Sequence, residues 1–265
     1  MTQSMNCIRL VEPEIGGGRI SKAKIDQIGD SDAQHLEISG LRQDTFEYLV
    51  QKYGDQFLEI KFWKCPRIED LSPLEALSSI RAIHYYWNQK TSRLWNFAKN
   101  PNLTVLSFHN FVHLQDLSDL ASAKALQILD FGNAASGASY VESLSPIGEI
   151  ATLRELAFNP KKISDNKAAP LLKLSNLHSL EFSNRLFSSE KIAWLKARLH
   201  QGIQSDRLQP YILVDNILNK DCMVTGKGKP FLHSVHDAQK LSRYVQNFER
   251  LVDYYRENLH CDEPD

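Results

Sequence analysis

A short apolar pattern returns seven times along this chain. Each copy consists of an apolar residue, two further residues, a second apolar residue, one residue and a third apolar residue. The copies are centred on Leu36, Ile60, Ile83, Leu106, Leu129, Leu156 and Leu180. Their spacing is 23 or 24 residues apart from one step of 27, and a weaker eighth copy centres on Tyr211. A fixed period of this length predicts a solenoid, in which each unit buries its apolar side by stacking on its neighbours.

Composition and charge narrow the class of protein. The 265 residues are 42% hydrophobic and carry a formal net charge of −1. We therefore expect one elongated domain and a monomer, and the balanced charge predicts no nucleic-acid or membrane partner. The four cysteines lie far apart without a Cys-x-x-Cys pair. Together with the lack of a signal sequence at the N-terminus, they predict a cytoplasmic protein.

The complete repeat has further regular positions. Aligned copies read LxxLxLxx(N/C), with Cys65 and Asn88 at the last position, where we expect them to serve the fold. Several copies continue with a segment of the type IxDLSPL, at 68–74, 114–120 and 141–147. This pattern resembles the leucine-rich repeat family over about residues 33–216, and the second segments resemble internalin-like repeats. The resemblance implies a concave parallel sheet, short convex turns and binding of another protein.

The expected fold class is therefore α/β: a leucine-rich repeat solenoid, or horseshoe, with a parallel concave sheet and a C-terminal helical cap. We assign residues 1–32 to an N-terminal cap segment, 33–216 to the repeats and 217–265 to a C-terminal cap. Apolar residues at helical spacing predict a helix around Phe46 and another around Leu195. A longer apolar stripe runs from Leu241 to Tyr255, and Ser234 with Asp237 is expected to cap its start. This helix either closes the solenoid or binds a partner.

The outward side chains of the predicted concave sheet are candidates for binding. Trp63, Tyr86 and His109 fall in one column on consecutive strands, about 5 Å apart. Exposed aromatic side chains often anchor protein interfaces. The predicted partner-binding residues are Lys61, Trp63, His84, Tyr86, Trp87, His109 and Asp130. In the alternative interpretation, Trp63 and Trp87 are covered by the N-terminal segment or by a returning C-terminal segment.

The sequence contains few of the motifs that are typical of catalytic or metal-binding sites. No nucleophile signature occurs, and His233, His236 and Asp237 lack the additional ligand that a zinc site requires. We predict no catalytic residue, metal or cofactor. The 27-residue step suggests an inserted loop at 134–140 beside the binding face.

The favoured function is a non-enzymatic scaffold that captures a protein or peptide on the concave face. Two alternatives stay open. One is ligand binding or enzymatic activity in the C-terminal segment, with the repeats as a targeting arm, and the other is structural self-association.

Overall fold

A parallel sheet dominates the fold. The computed structural model describes residues 6–133, 139–217 and 219–265. The strands are β1 (Cys7–Leu10), β2 (His35–Ser39), β3 (Glu59–Trp63), β4 (Ala82–Asn88), β5 (Val105–Phe111), β6 (Ile128–Gly132), β7 (Tyr140–Val141), β8 (Glu155–Asn159), β9 (Lys162–Ile163), β10 (Ser179–Phe182), β11 (Tyr211–Ile217), β12 (Lys220–Val224) and β13 (Phe231–Leu232). Eight of them form one sheet in the order β1-β2-β3-β4-β5-β6-β8-β10, and all its strand pairs are parallel.

Short helices connect the strands on the other side of the core. The α-helices are α1 (Lys22–Ile25), α2 (Gln43–Tyr53), α3 (Ser145–Gly148), α4 (Ser189–Arg198) and α5 (Ala238–Glu257), and single 3-10 turns serve most other repeats. The helices predicted around Phe46 and Leu195 are α2 and α4. The helical segments on the convex side are short because a repeat of 23 or 24 residues has few residues available besides its strand and the two connecting turns.

The register of the sheet follows the repeat alignment. Leu36, Ile60 and Ile83 are direct neighbours across β2, β3 and β4, and the same row continues to Leu180 in β10. All seven predicted copies therefore lie on strands of one sheet. The segment before the first copy adds an unpredicted strand, β1, which pairs with β2 through Ile8 and Leu36.

A ladder of aromatic rings runs through the core. The third apolar position of each copy points inward, and Phe108, Phe131, Phe158 and Phe182 occupy it in successive strands. Their ring centroids are 5.3, 5.9 and 5.7 Å apart, with nearly parallel planes. Tyr85 holds the same position in β4, where its hydroxyl donates to the carbonyl of Cys65 at 2.7 Å. The ladder exists because parallel strands in register bring equivalent side chains into contact.

The Asn/Cys position of the repeat serves the fold, as predicted. Asn88 is fully buried; its Nδ2 donates to the carbonyl of Ile68, and its Oδ1 accepts from the backbone N–H groups of Lys90 and Thr91, each at 2.8 Å. Cys65 is also fully buried, and burial raises the pKa of its thiol to about 12. A thiol with so high a pKa stays protonated and is a poor nucleophile.

The C-terminal region departs from the repeat pattern. The expected eighth strand does not extend the parallel sheet: β11 pairs antiparallel with β12, and β12 with β13. Within the described ranges, a single parallel bridge, from Ser179 to Gln204, continues the main sheet beyond β10. The three-stranded sheet is held to the last repeat through Asn184, which donates to the carbonyl of Val224 and accepts from the N–H of Gly226. Hydrogen bonds between distant residues therefore override the local match at Tyr211.

The long C-terminal helix forms the predicted helical cap. Helix α5 packs on α4 and buries Phe248, Val252 and Tyr255 in the core that the repeats share. The expected capping pair is not formed: Asp237 is the N-cap but makes no capping hydrogen bond, and Ser234 donates to Asp221 instead. Asp221 of β12 accepts the hydrogen bond from the Ser234 hydroxyl, because β12 lies beside the start of the helix.

Gly40 is required where the N-terminal segment crosses the end of β2. Its φ is +73°, and a Cβ there would lie 2.9 Å from the backbone of Gly18. We expect Gly40→Ala to destabilise the protein by about 3 kcal/mol, from both backbone strain and overpacking. The matched control is Gly228→Ala, which has the same φ of +73° but open space around it, and should cost only about 1 kcal/mol. Urea unfolding measures both, and equal losses would contradict the close approach.

Candidate functional site

Two stacked aromatic rings lie at the centre of the concave face. Trp63 ends β3 and Tyr86 lies beside it in β4, with ring centroids 4.4 Å apart and planes inclined by 18°. Both side chains are half-buried. With Lys61, His84 and His109 they line a shallow cleft of about 390 Å³. We call these five residues the aromatic patch; they are five of the seven residues predicted to bind a partner.

Charged groups surround the patch in pairs. His109 Nε2 lies 3.1 Å from the carboxylate of Asp130, and His84 Nε2 lies 3.7 Å from Glu59. Lys61 binds Glu37 at 3.2 Å, and its ammonium group lies 5.8 Å from the Trp63 ring centroid. Each pair joins neighbouring strands. The arrangement orients the polar rim and leaves the aromatic rings as the apolar centre.

Burial sets the charge of one histidine. Packing within the concave face lowers the pKa of His84 below the ordinary value of 6.5, although the Glu59 carboxylate acts in the opposite direction. His84 is therefore neutral at pH 7 and can both donate and accept a hydrogen bond. The patch carries its positive charge on Lys61 rather than on this imidazole.

Trp87 does not belong to the aromatic patch, contrary to the prediction. Its φ is +72°, so the regular alternation of side chains along β4 is interrupted there, although the strand pairing resumes at Asn88. The Trp87 side chain instead lines a separate cleft, together with Glu12 and Gly18 of the N-terminal segment. The N-terminal segment therefore lies beside Trp87, whose half-buried side chain remains accessible in this cleft. Among the described residues, the cleft that contains Trp63 is lined by β3, β4 and β5 and by no part of the N-terminal segment.

A larger cleft lies at the C-terminal end of the concave face. It has a volume of about 670 Å³, and strands β6, β8 and β10 form one wall. The other wall comes from the three-stranded sheet and its loop, with Met223, Lys229 and Phe231. Asp130 lines this cleft and also contacts His109 of the aromatic patch. The two clefts are thus parts of one continuous surface.

Basic residues offset the acidic side chains of the later repeats. Glu181 on β10 pairs with Arg207 at 3.2 Å, and Arg185 lines the same cleft. The sequence analysis missed Arg207, Lys229 and Phe231 as members of the concave face. No periodic signal could have found them, because they reach the cleft from segments that follow β10, the last strand of the parallel sheet.

Other sequence expectations have different outcomes. Residues 134–138 of the expected loop lie outside the described part of the chain. Within the described ranges, no group of three or more His, Cys, Asp or Glu side chains is placed to hold a metal ion. No helix in those ranges has the length and apolar character needed to cross a membrane. All four cysteines are free thiols.

Comparison with solved structures identifies the fold. An internalin (inlF) from Listeria monocytogenes str. 4b F2365 matches with a TM-score of 0.52 and 21% sequence identity, over 73% of this chain and 55% of the internalin. The chain has an internalin-like leucine-rich repeat fold. An internalin C2 (inlC2) from the same strain matches with a TM-score of 0.35 and 20% identity, over 62% of this chain and 77% of that protein. No protein-family model matches the chain, and neither does any curated protein sequence.

The leucine-rich repeat fold explains why the site is where it is. Inward side chains of each strand fill the core, so only the outward columns are free to carry other chemistry. In the column of Ser39, Trp63, Tyr86 and His109, the first member is fully buried under the N-terminal segment, where its hydroxyl accepts from the N–H of Glu12 at 3.1 Å. The accessible aromatic side chains therefore begin at β3.

Proposed function

We propose that this protein is a binding scaffold that holds an extended segment of a partner protein along its concave face. The aromatic patch would supply the apolar anchor, and the cleft at the C-terminal end would take the rest of the segment. Asp130, which lines one cleft and contacts the other, is the observation that carries this proposal. A continuous surface across several strands suits a polypeptide better than a compact small molecule.

The chemistry of the groove favours binding over catalysis. Stacked Trp63 and Tyr86 are the type of rigid aromatic side chain that most often dominates binding energy at interfaces. His84 and His109 each contact a carboxylate, and within the described ranges neither imidazole forms a hydrogen bond with the hydroxyl of Ser107, which lines the same cleft. We therefore favour a non-enzymatic role over the alternative of activity in the C-terminal segment. That segment contributes a wall of the groove.

The charged side chains of the groove indicate which residues the bound partner segment would carry. The groove has Lys61 at one end and Lys229 at the other, and Asp130 lies between them, whereas Glu181 is already paired with Arg207. A partner segment with an apolar or aromatic side chain near the patch and a basic side chain opposite Asp130 would be complementary. The cytoplasmic location, the monomeric state and the domain boundaries stay predictions.

Site-specific photo-crosslinking tests this function. A photoreactive amino acid replaces Ser107, which lines the cleft of the aromatic patch, or Lys124, which is exposed on a connecting turn. In lysate of the source cells, we expect a discrete crosslinked protein from position 107 only. Mass spectrometry then identifies the partner and its crosslinked segment. Equal adducts from both positions, or adducts from position 124 alone, would argue against the concave face as the binding surface.

A further inference from the structure

A cleft rich in positive charge adjoins the aromatic patch. It has a volume of about 310 Å³ and lies where the chain leaves strands β2, β3 and β4. Four cationic side chains line it, with one carboxylate and one indole: Arg19, Arg42, Lys64, Arg67, Glu12 and Trp87. We call it the basic cleft. Of its lining residues, only Trp87 was among the residues predicted to bind a partner.

The cations of the basic cleft are poorly compensated. Lys64 pairs with Glu12 at 3.8 Å, and within the described ranges Arg19, Arg42 and Arg67 have no carboxylate within ion-pair distance. The Nε atom of Arg42 is buried and has no hydrogen-bond partner there. A buried donor without an acceptor is destabilising, so such groups are rare in folded proteins. An anion in the cleft would compensate these cations through the guanidinium N–H groups that line it.

Repeat geometry holds the cations close together despite their repulsion. Arg42 and Arg67 face each other in an isolated parallel bridge between consecutive repeats. Arg19 reaches the same cleft because the turn at Gly17 and Gly18, with φ of +71° and +64°, packs against Gly40. The backbone N–H of Ile20 donates a hydrogen bond to the carbonyl of Gly40 at 3.1 Å and so holds the N-terminal segment against the end of β2. Three separate chain segments thus converge on one small volume.

We propose that the basic cleft binds a phosphate monoester or free phosphate, as a dianion. Four cations against one carboxylate leave a formal charge of three, which a dianion compensates better than a carboxylate does. Guanidinium groups match the geometry of phosphate oxygens through paired hydrogen bonds. Arg42 and Arg67 would provide such pairs from two sides. Trp87 would pack against the group that carries the phosphate.

Calorimetric titration of the full chain with inorganic phosphate at low ionic strength tests the proposal. We expect one phosphate per chain, with binding weakened about tenfold or more in Arg42→Gln, because a charge-assisted hydrogen bond is lost. Arg93→Gln is the matched control: Arg93 is exposed and pairs with Asp119 away from the cleft. It should bind phosphate as the unmodified protein does. Absent binding, or equal losses in both variants, would overturn the proposal.

Further arms separate the sources of the phosphate. Acetate at the same concentration should bind at least tenfold more weakly than phosphate, and equal binding would overturn the preference for a dianion. O-phosphoserine binding more tightly than phosphate, with serine inactive, would indicate a phosphorylated molecule as the source. Tighter binding of free phosphate would indicate the ion itself. Arg42→Lys keeps the positive charge but loses the paired hydrogen-bond geometry of the guanidinium group. We expect it to fold normally and to bind phosphate more weakly than the unmodified protein. These titrations need no partner protein, so they are independent of the proposed scaffold function.

Discussion

Replacing Phe131 by Ala will lower the free energy of unfolding by about 3–5 kcal/mol. Phe131 is buried in the middle of the aromatic ladder, with Phe108 and Phe158 stacked on its two faces. Strands in a solenoid are fixed on both sides by their neighbours, so the repeats cannot collapse into the cavity. Urea denaturation followed by circular dichroism measures the loss.

The same substitution at the surface provides the control. Phe231 on β13 is 39% exposed and lies outside the ladder, so Phe231→Ala should cost about 1 kcal/mol or less. A change in the slope of the urea transition for Phe131→Ala would show that the two ends of the solenoid unfold separately. Equal losses in the two variants would contradict a ladder that supports the fold.

Replacing Trp63 and Tyr86 together by Ala will weaken partner binding by a factor of about 30 or more. Each aromatic anchor at the centre of an interface commonly contributes about 2 kcal/mol or more, and the stacked pair acts as one unit. Both rings are only half-buried, so we expect the thermal midpoint to change little. Affinity for the crosslinked partner, measured by surface plasmon resonance, tests the effect.

An aromatic side chain away from the patch gives the matched comparison. Tyr140 on β7 is 36% exposed, and Lys161 lies over its ring at 5.5 Å, much as Lys61 lies over Trp63. Tyr140→Ala should leave binding unchanged. If the double variant keeps its affinity, the aromatic patch is not the anchor. A large fall in its thermal midpoint would instead show that the two rings mainly stabilise the sheet.

The sheet and the patch were predictable because both depend on a period. Once Leu36 and Ile60 are aligned, every outward residue of β2 and β3 has a neighbour set by the hydrogen-bond ladder. The stacking of Trp63 on Tyr86 follows from that register alone. The repeat also predicted the buried roles of Cys65 and Asn88.

Trp87 shows where periodic reasoning ends. Alternation along β4 gives the side of each residue only while the chain stays extended. At Trp87 the backbone enters the left-handed region, as it does at the equivalent positions Gly40, Lys64 and Asn110. Gly and Asn are residue types that favour this region, whereas Trp and Lys are not. The residue type of Trp87 therefore does not separate it from Tyr86.

The amino-acid sequence by itself determined the seven clear copies of the repeat, their register and their inward and outward columns, because each of these follows from local spacing repeated along the chain. The tertiary structure alone decided what lies beyond the repeats. The antiparallel pairing of β11 with β12 and the convergence of Arg19 on Arg42 join segments with no common period. Such contacts depend on side-chain hydrogen bonds and close backbone approaches in three dimensions, which a one-dimensional pattern does not encode.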